Sequence, residues 1–433
     1  MKLSRKYFFF GALSLSASLF PNKREEPVII IGAGASGLYA AKLLADKGIP
    51  FLILEANSRI GGRILSLNGI SDFPIELGAE EIHGENSLYY KLAKKMRASV
   101  FHNDGEVLLF HKNKLIEESD AEEIVGYNKM SSMIQNLSSY DEEEKTALEY
   151  FQKEQNQFLY IAEALVGNEH GTNLSRIGMK ALSKYNLNWE SGEKNYLLKS
   201  RSHLSLIEEI CRSVSTRIQL NSKVVEINLD SNSVLVKTES GKEITGTAVI
   251  LTIPISILKR NKIKFNPSMP NNYRDAIAKI GMGSGMKIIL KFENRFWDKD
   301  TTSIITPGII PEFIVSGRKK GSENKILTGF LCGENSEKIQ RPVETAISEL
   351  DKIFGGKNAS KNLEDSFVQD WSKEEFIGGT YSYPSLDEEN SREKLAVPIE
   401  GKIFFAGEAI AGIHYGTIQG ALESAVLAVK NFK

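Results

Sequence analysis

Pro27-Val28-Ile29-Ile30-Ile31-Gly32-Ala33-Gly34-Ala35-Ser36-Gly37 is the stretch that decides the fold. Pro27 to Ile31 is short, largely β-branched and apolar at every position from Val28 on, which marks a strand buried on both faces of a parallel sheet. It runs straight into three glycines, after which Leu38 to Lys47 reads as a helix. Gly32 permits the tight turn, Gly34 lets the main chain approach a pyrophosphate, and Gly37 lets helix and strand pack closely. Ala35 and Ser36 sit where the helix begins, and a helix start offers free N–H groups and a positive dipole end to phosphate oxygens. A second apolar run, Pro50 to Leu54, ends at Glu55 and is followed by Ala56. A carboxylate at that point accepts the hydroxyls of a ribose. Glycine turns alone are common, but strand, glycines, helix, strand and acid in this order specify a Rossmann-type dinucleotide site.

The remaining composition removes other classes. The chain has 433 residues, 41% hydrophobic and 25% charged, as in a globular protein of two or three domains sharing a core. Lys plus Arg number 54 against 55 acids, a net charge of −1, which gives no broad basic field for nucleic acid. Cys211 and Cys332 stand alone, without CxxC or Cys/His spacing, so neither a disulfide framework nor a metal site is expected. Residues 1–22 are set aside as a leader or tail. Lys2 to Lys6 is basic, Tyr7 to Phe20 is apolar but too short to span a bilayer, and Ser16-Ala17-Ser18 is a small-residue triplet suited to cleavage. Ser4-Arg5-Lys6-Tyr7-Phe8-Phe9 resembles a twin-arginine export signal in which Lys6 replaces the second arginine. The expectation is export to the periplasm or beyond, or a cytoplasmic protein if the signal is unused.

Arg59-Ile60-Gly61-Gly62-Arg63 follows the ribose acid at once. Gly61 and Gly62 let the chain pass under a cofactor while Arg63 offers a fixed fork of donors. At the far end, Lys402 to Gly407 reads as a strand leading to Glu408, and Gly416-Thr417-Ile418-Gln419-Gly420-Ala421 opens the closing helix. Together these segments resemble the FAD-dependent flavin amine oxidase family, the group that includes monoamine and polyamine oxidases. The resemblance extends over nearly the whole chain after the leader. It implies an α/β fold: a Rossmann-type FAD-binding domain with an inserted α+β substrate-binding domain. In residue numbers, 23–105, 200–262 and 380–433 would form the FAD domain, and 106–199 and 263–379 the substrate domain. Glu143 to Leu165 has helical spacing within the latter.

The same resemblance assigns roles. Glu408 would bind the ribityl chain, and the backbone of Gly416 and Thr417 would face the electron-rich edge of the flavin ring, where a helix start stabilises negative charge. Ile218 to Ile227 looks like the adenine-contacting strand, with Val224 pairing to the base. Gly78, Ala79, Glu80 and Glu81 complete the cofactor set with the residues named above. Lys287, in the strand-like run Met286 to Phe292, matches the family lysine that holds a water against flavin N5. Tyr381, in Gly379-Thr380-Tyr381, matches one wall of an aromatic cage. Thr417 stands in place of the second wall tyrosine, which leaves Tyr415 or His414 as stand-ins. His83 is a candidate for substrate orientation or proton handling. Lys287, His83 and Tyr381 are thus the catalytic candidates, and no metal is expected. His102, His111, His170 and His203 read as surface or structural residues, and Trp189, Trp297 and Trp371 as core.

Glu81 stands where polyamine oxidases carry Trp and where L-amino acid oxidases supply an arginine. Facing the pocket, it would attract an ammonium and repel a carboxylate. The expected activity is oxidation of a small-molecule amine by hydride transfer to flavin, with hydrolysis of the imine and reduction of O2 to H2O2. An L-amino acid oxidase, another oxidase or desaturase of the superfamily, or a redox-silent FAD protein are the alternatives. FAD is expected to be noncovalent, because no cysteine lies in the C-terminal segment. No apolar tail precedes Lys433, so an integral membrane anchor is not expected; the oligomeric state is unknown from the sequence.

Overall fold

Val28–Ile31 lies at the middle of a five-stranded parallel sheet, in a computed structural model that describes residues 26–153, 157–321, 325–388, 390–430 and 432. The leader expected over 1–22 lies outside those residues. Phe51–Leu54 and then Ile218–Gln219 flank the central strand on one side, Ala248–Leu251 and then Ile403–Phe405 on the other. Ile31 stands opposite both Leu54 and Leu251, so the strands end level and their carboxyl ends open onto one crevice. Every residue of Val28–Ile31 and of Ala248–Leu251 is buried, as strands apolar on both faces require.

The first helix is Ala35–Asp46, three residues longer at its start than the apolar pattern suggests. Gly34 is extended at φ −76° and serves as its N-cap, so Ala35 and Ser36 form the first turn. The last helix, Ile418–Lys430, packs along it: Ala40, Ala41 and Leu44 share one buried cluster with Leu422, Ala425 and Val429. On the opposite face of the sheet, Ile29, Ile31, Val249 and Leu251 meet Val224, Val234, Val236 and Tyr273.

That second face is covered by a sheet of Glu243–Gly246, Val234–Thr238, Val224–Leu229 and Lys264–Asn266. Ile218 to Ile227, which reads as one strand, is therefore two strands in two sheets. Asn221 breaks it with φ +52°, a left-handed conformation that asparagine tolerates better than most residues.

A seven-stranded sheet carries the other half of the molecule, ordered Leu363–Asp370, Gly285–Phe292, Ile326–Cys332, Glu312–Val315, Thr301–Ile305, Glu106–His111 and Lys114–Glu117. Helices between 118 and 187 cover part of it. The continuous helical run read over Glu143 to Leu165 is broken. Thr146 and Glu149 form a reciprocal capping box that starts a helix at Ala147–Gln152, and a π-helical turn occupies Glu163–Asn168. Among the described residues no helix is long and apolar enough to cross a membrane.

Candidate active site

One continuous cavity of about 790 Å³ runs from the carboxyl ends of the parallel strands to the inner face of the seven-stranded sheet. Its volume is within the roughly 300–1,000 Å³ typical of small-molecule sites. Gly32, Gly34, Ala35, Ser36, Glu55, Ala56, Gly62, Arg63 and Val224 line one end. Glu80, Glu81, His83, Glu169, His170, Lys287, Glu312, Tyr381 and Tyr415 line the other, with Gly78, Ala79, Glu408, Gly416 and Thr417 also on its walls.

The first end fits a dinucleotide. A Cβ on Gly37 would stand 2.0 Å from the Gly32 carbonyl oxygen, so only glycine lets the helix start this close to the strand. A Cβ on Gly34 would meet nothing within 4 Å, leaving room for a phosphate above the turn. Glu55 accepts the Ala33 N–H at 2.6 Å and the Asn57 N–H at 2.8 Å, one on each oxygen. These bonds aim the carboxylate, and each oxygen keeps a lone pair for a ribose hydroxyl. Val224 opens its strand at an irregular register between Val224 and Glu226, which frees main-chain groups from the ladder. FAD is the group these residues would hold.

Arg63 and Glu408 are tied to each other. Arg63 Nη1 donates to Glu408 Oε1 and to the Thr380 carbonyl, both at 2.8 Å. Glu408 also accepts the Ser382 hydroxyl at 2.6 Å and the Gly416 N–H at 2.9 Å. Burial opposes its ionisation, but Arg63 and these bonds outweigh burial and hold its carboxyl below the usual range. Glu408 thus fixes the first chain segment, the Thr380–Ser382 segment and the last helix around the cavity. Thr417 Oγ1 accepts the Gly420 N–H at 2.9 Å, capping that helix.

At the inner end, Lys287 lies in a central strand rather than at an edge, and its Nζ donates to Glu80 Oε2 at 2.7 Å and to the Glu76 carbonyl at 3.1 Å. Glu81 faces the cavity; its Oε1 accepts from Asn103 at 2.9 Å, and its Oε2 lies 4.0 Å from His83 Nδ1. His83 Nδ1 donates to Asn195 Oδ1 at 3.1 Å, which leaves Nε2 as the lone-pair nitrogen of the neutral ring. Tyr381 donates its hydroxyl to the Glu169 carbonyl at 2.7 Å. Glu169 and Glu312 were not singled out in the sequence. Desolvation at the cavity wall pushes half-buried Glu312 up to about 7 against a bond from Ser303, and desolvation with the nearby Glu81 and Glu312 shifts the more exposed Glu169 upward too.

Two sequence readings are corrected here. Trp189 is not core: it is 36% exposed and lines the cavity, edge-on to His83 and His414. His170 is not confined to a surface or structural place, since it lines the cavity beside Tyr415, and burial lowers its pKa to about 4. Of the two stand-ins for the second cage wall, Tyr415 lines the cavity. His414 is instead held by Ser191 and Glu423. Arg392 escaped notice entirely, although it is fully buried, paired with Glu388, and stacked 4.6 Å from the centre of the Tyr415 ring.

Comparisons with known proteins agree with this geometry. The family model for flavin containing amine oxidoreductase matches residues 35–431. Polyamine oxidase 3 of Oryza sativa subsp. japonica is 24% identical over 435 residues, covering 93% of this chain and 88% of its own. Lysine-specific histone demethylase 2 of Homo sapiens is 25% identical over 461 residues, covering 96% of this chain and 55% of its own. Among solved structures, cyclohexylamine oxidase from Brevibacterium oxydans superposes with a TM-score of 0.79 at 20% identity, covering 94% of this chain and 99% of that one. Putrescine oxidase bound to putrescine does so with a TM-score of 0.78 at 17% identity, covering 94% and 98%. With a dinucleotide cradle at one end of its cavity and a family match over almost its whole length, the chain belongs to the flavin-containing amine oxidoreductases and is an FAD-dependent amine oxidase.

Proposed function

We propose that the substrate is an aliphatic amine with a second cationic centre, such as a diamine or polyamine, and that dioxygen is the electron acceptor. The observation that carries this reading is the sign of the charge at the inner end of the cavity. Glu81, Glu169 and Glu312 line it, and an ammonium entering among them draws the carboxyls into their ionised forms, while Lys287 is held by Glu80. An amino acid's carboxylate would be repelled by these groups, and an ammonium would be attracted. The names of the relatives, polyamine oxidase and putrescine oxidase, support the same class.

FAD, held by the residues described above, would supply two-electron acceptor chemistry for hydride removal from the carbon beside the amine nitrogen, with dioxygen as the final acceptor and hydrogen peroxide as its product. The protein's residues prepare the amine. His83 Nε2 takes the proton from the reacting ammonium, because only the neutral amine can release hydride. Tyr381 and Tyr415 confine the alkyl chain and exclude water. Lys287, on the cavity wall, would offer its remaining N–H to the flavin end of the site. The carboxyls at the inner end hold the distal ammonium, and water then hydrolyses the imine to a carbonyl compound and ammonia or a smaller amine.

Peroxide release from a panel of putrescine, spermidine, cyclohexylamine and L-leucine tests the reading. Turnover is expected to favour the first two. A preference for L-leucine would replace this reading with an amino acid oxidase. We also infer export through residues 1–22; a tagged full chain found only in the cytoplasm would contradict it.

A further inference from the structure

Glu80 occupies an unusual electrostatic position. Its carboxylate lies between two buried ammonium groups, Lys287 at 2.7 Å from Oε2 and Lys320 at 3.8 Å from Oε1. The side chains of the three are 11%, 8% and 5% exposed. The backbone that presents Glu80 is fixed from several sides. Gly78 packs against the Arg63 carbonyl so closely that a Cβ there would stand 1.8 Å from it, and Trp371 donates to the Leu77 carbonyl at 2.9 Å. His203 Nε2 donates to the Glu80 carbonyl at 2.8 Å and is itself held by the Tyr89 hydroxyl at 2.8 Å. The backbone that carries the carboxylate is therefore fixed, and the two ammonium groups converge on it.

An ammonium carries three N–H donors. Glu80 takes one and the Glu76 carbonyl a second, so the third belongs to the cavity that Lys287 lines. A lysine side chain is otherwise a flexible stem ending in a point charge.

We propose that Glu80 is a positioning residue of the oxidase: it anchors the Lys287 ammonium so that one N–H is presented to the flavin end of the substrate cavity, with Lys320 flanking its other oxygen. This goes beyond the choice of amine, and only its kinetic arm rests on that reading.

The test compares the full-length, FAD-loaded wild type with E80Q, E80D, K287M and E80Q/K287M. Anaerobic flavin reduction by putrescine is followed as a function of amine concentration. E80Q is expected to lower the limiting rate by about 10- to 100-fold, as a misplaced group does, with the half-saturating amine concentration changed by less than about threefold. E80D regains most of the rate. In the K287M background E80Q adds less than about twofold, because the residue it acts through is gone. An equal E80Q effect in both backgrounds, or a wild-type rate in E80Q, overturns the proposal.

Heat unfolding of the FAD-free proteins supplies a readout independent of turnover. E80Q and K287M should each lower Tm, and the double variant should lose less than the two losses combined. Strictly additive losses overturn the pairing. If no amine reduces the wild-type flavin, the amine reading fails while this unfolding cycle still decides the role of Glu80.

Discussion

Glu169 and Glu312 are carboxyls that the fold holds back from ionisation, and that property makes predictions of definite sign. Their folded pKa values lie above the ordinary 4.5, that of Glu312 at about 7, because desolvation at the cavity wall disfavours the charged form. The folded state thus binds protons that the unfolded chain releases. The contribution of Glu312 to stability is complete below about 4.5 and is lost as pH rises through about 7. FAD-free protein should therefore melt lower at pH 9 than at pH 6, and E312Q should flatten that slope. Binding runs the other way: a diamine needs the ionised carboxyls, so its KM should fall as pH rises through the same window. Replacing Glu312 with Gln should raise the putrescine KM by about tenfold, the equivalent of ~1.4 kcal/mol, with a smaller change in kcat. Steady-state kinetics across pH check both. Glu81 was legible as a candidate because it directly follows the Gly78-Ala79-Glu80 motif. Glu312 was hidden as an acid at the start of an apolar strand, and Glu169 as a polar residue beyond a helix whose π-helical turn no local pattern announces.

The strands of the parallel sheet were readable because burial on both faces demands unbroken β-branched runs, and Val28–Ile31 and Ala248–Leu251 are such runs. The division of Ile218 to Ile227 between two sheets was not, since it depends on which neighbours each half meets. Helix starts are where these elements touch the cofactor site, and they should be sensitive to small changes. Thr417→Ala removes the hydroxyl that caps Ile418–Lys430 and should cost about 0.5–2 kcal/mol, visible as a lower Tm and weaker FAD retention. Gly37→Ala places a methyl 2.0 Å from the Gly32 carbonyl oxygen, so the helix must move away from the strand. Its FAD affinity, measured by titration of FAD-free protein, should fall more than in the Thr417 variant. Arg392 joins the Ser391–Ala396 helix to the site: it donates to Glu388, to Ser382 Oγ at 2.7 Å and to the Ala409 carbonyl at 3.0 Å. Replacing it with Met leaves Glu388 buried and unpaired, a loss of roughly 3–5 kcal/mol by the behaviour of broken buried pairs, to be read by chemical unfolding.

At the scale of the molecule, the first and last described helices are brought together. Ala35–Asp46 and Ile418–Lys430 lie side by side, and Arg63 beside the first grips Glu408 beside the second, so the cradle is complete only when both segments are in place. The seven-stranded sheet then closes the cavity from the opposite side with Lys287 and Glu312. The nucleotide half of this arrangement was legible because phosphate and ribose recognition needs fixed glycines and a fixed acid. The amine half was legible only where a family motif marked it, because carboxyls from distant segments converge there by tertiary folding. Anaerobic titration of the yellow, FAD-loaded protein with putrescine puts the two halves together in one measurement. The oxidised flavin absorbance should bleach in proportion to the amine added and return on admission of air. A spectrum that stays unchanged with every amine offered, or a protein that takes up no FAD, would contradict the joined cavity as a site of amine oxidation.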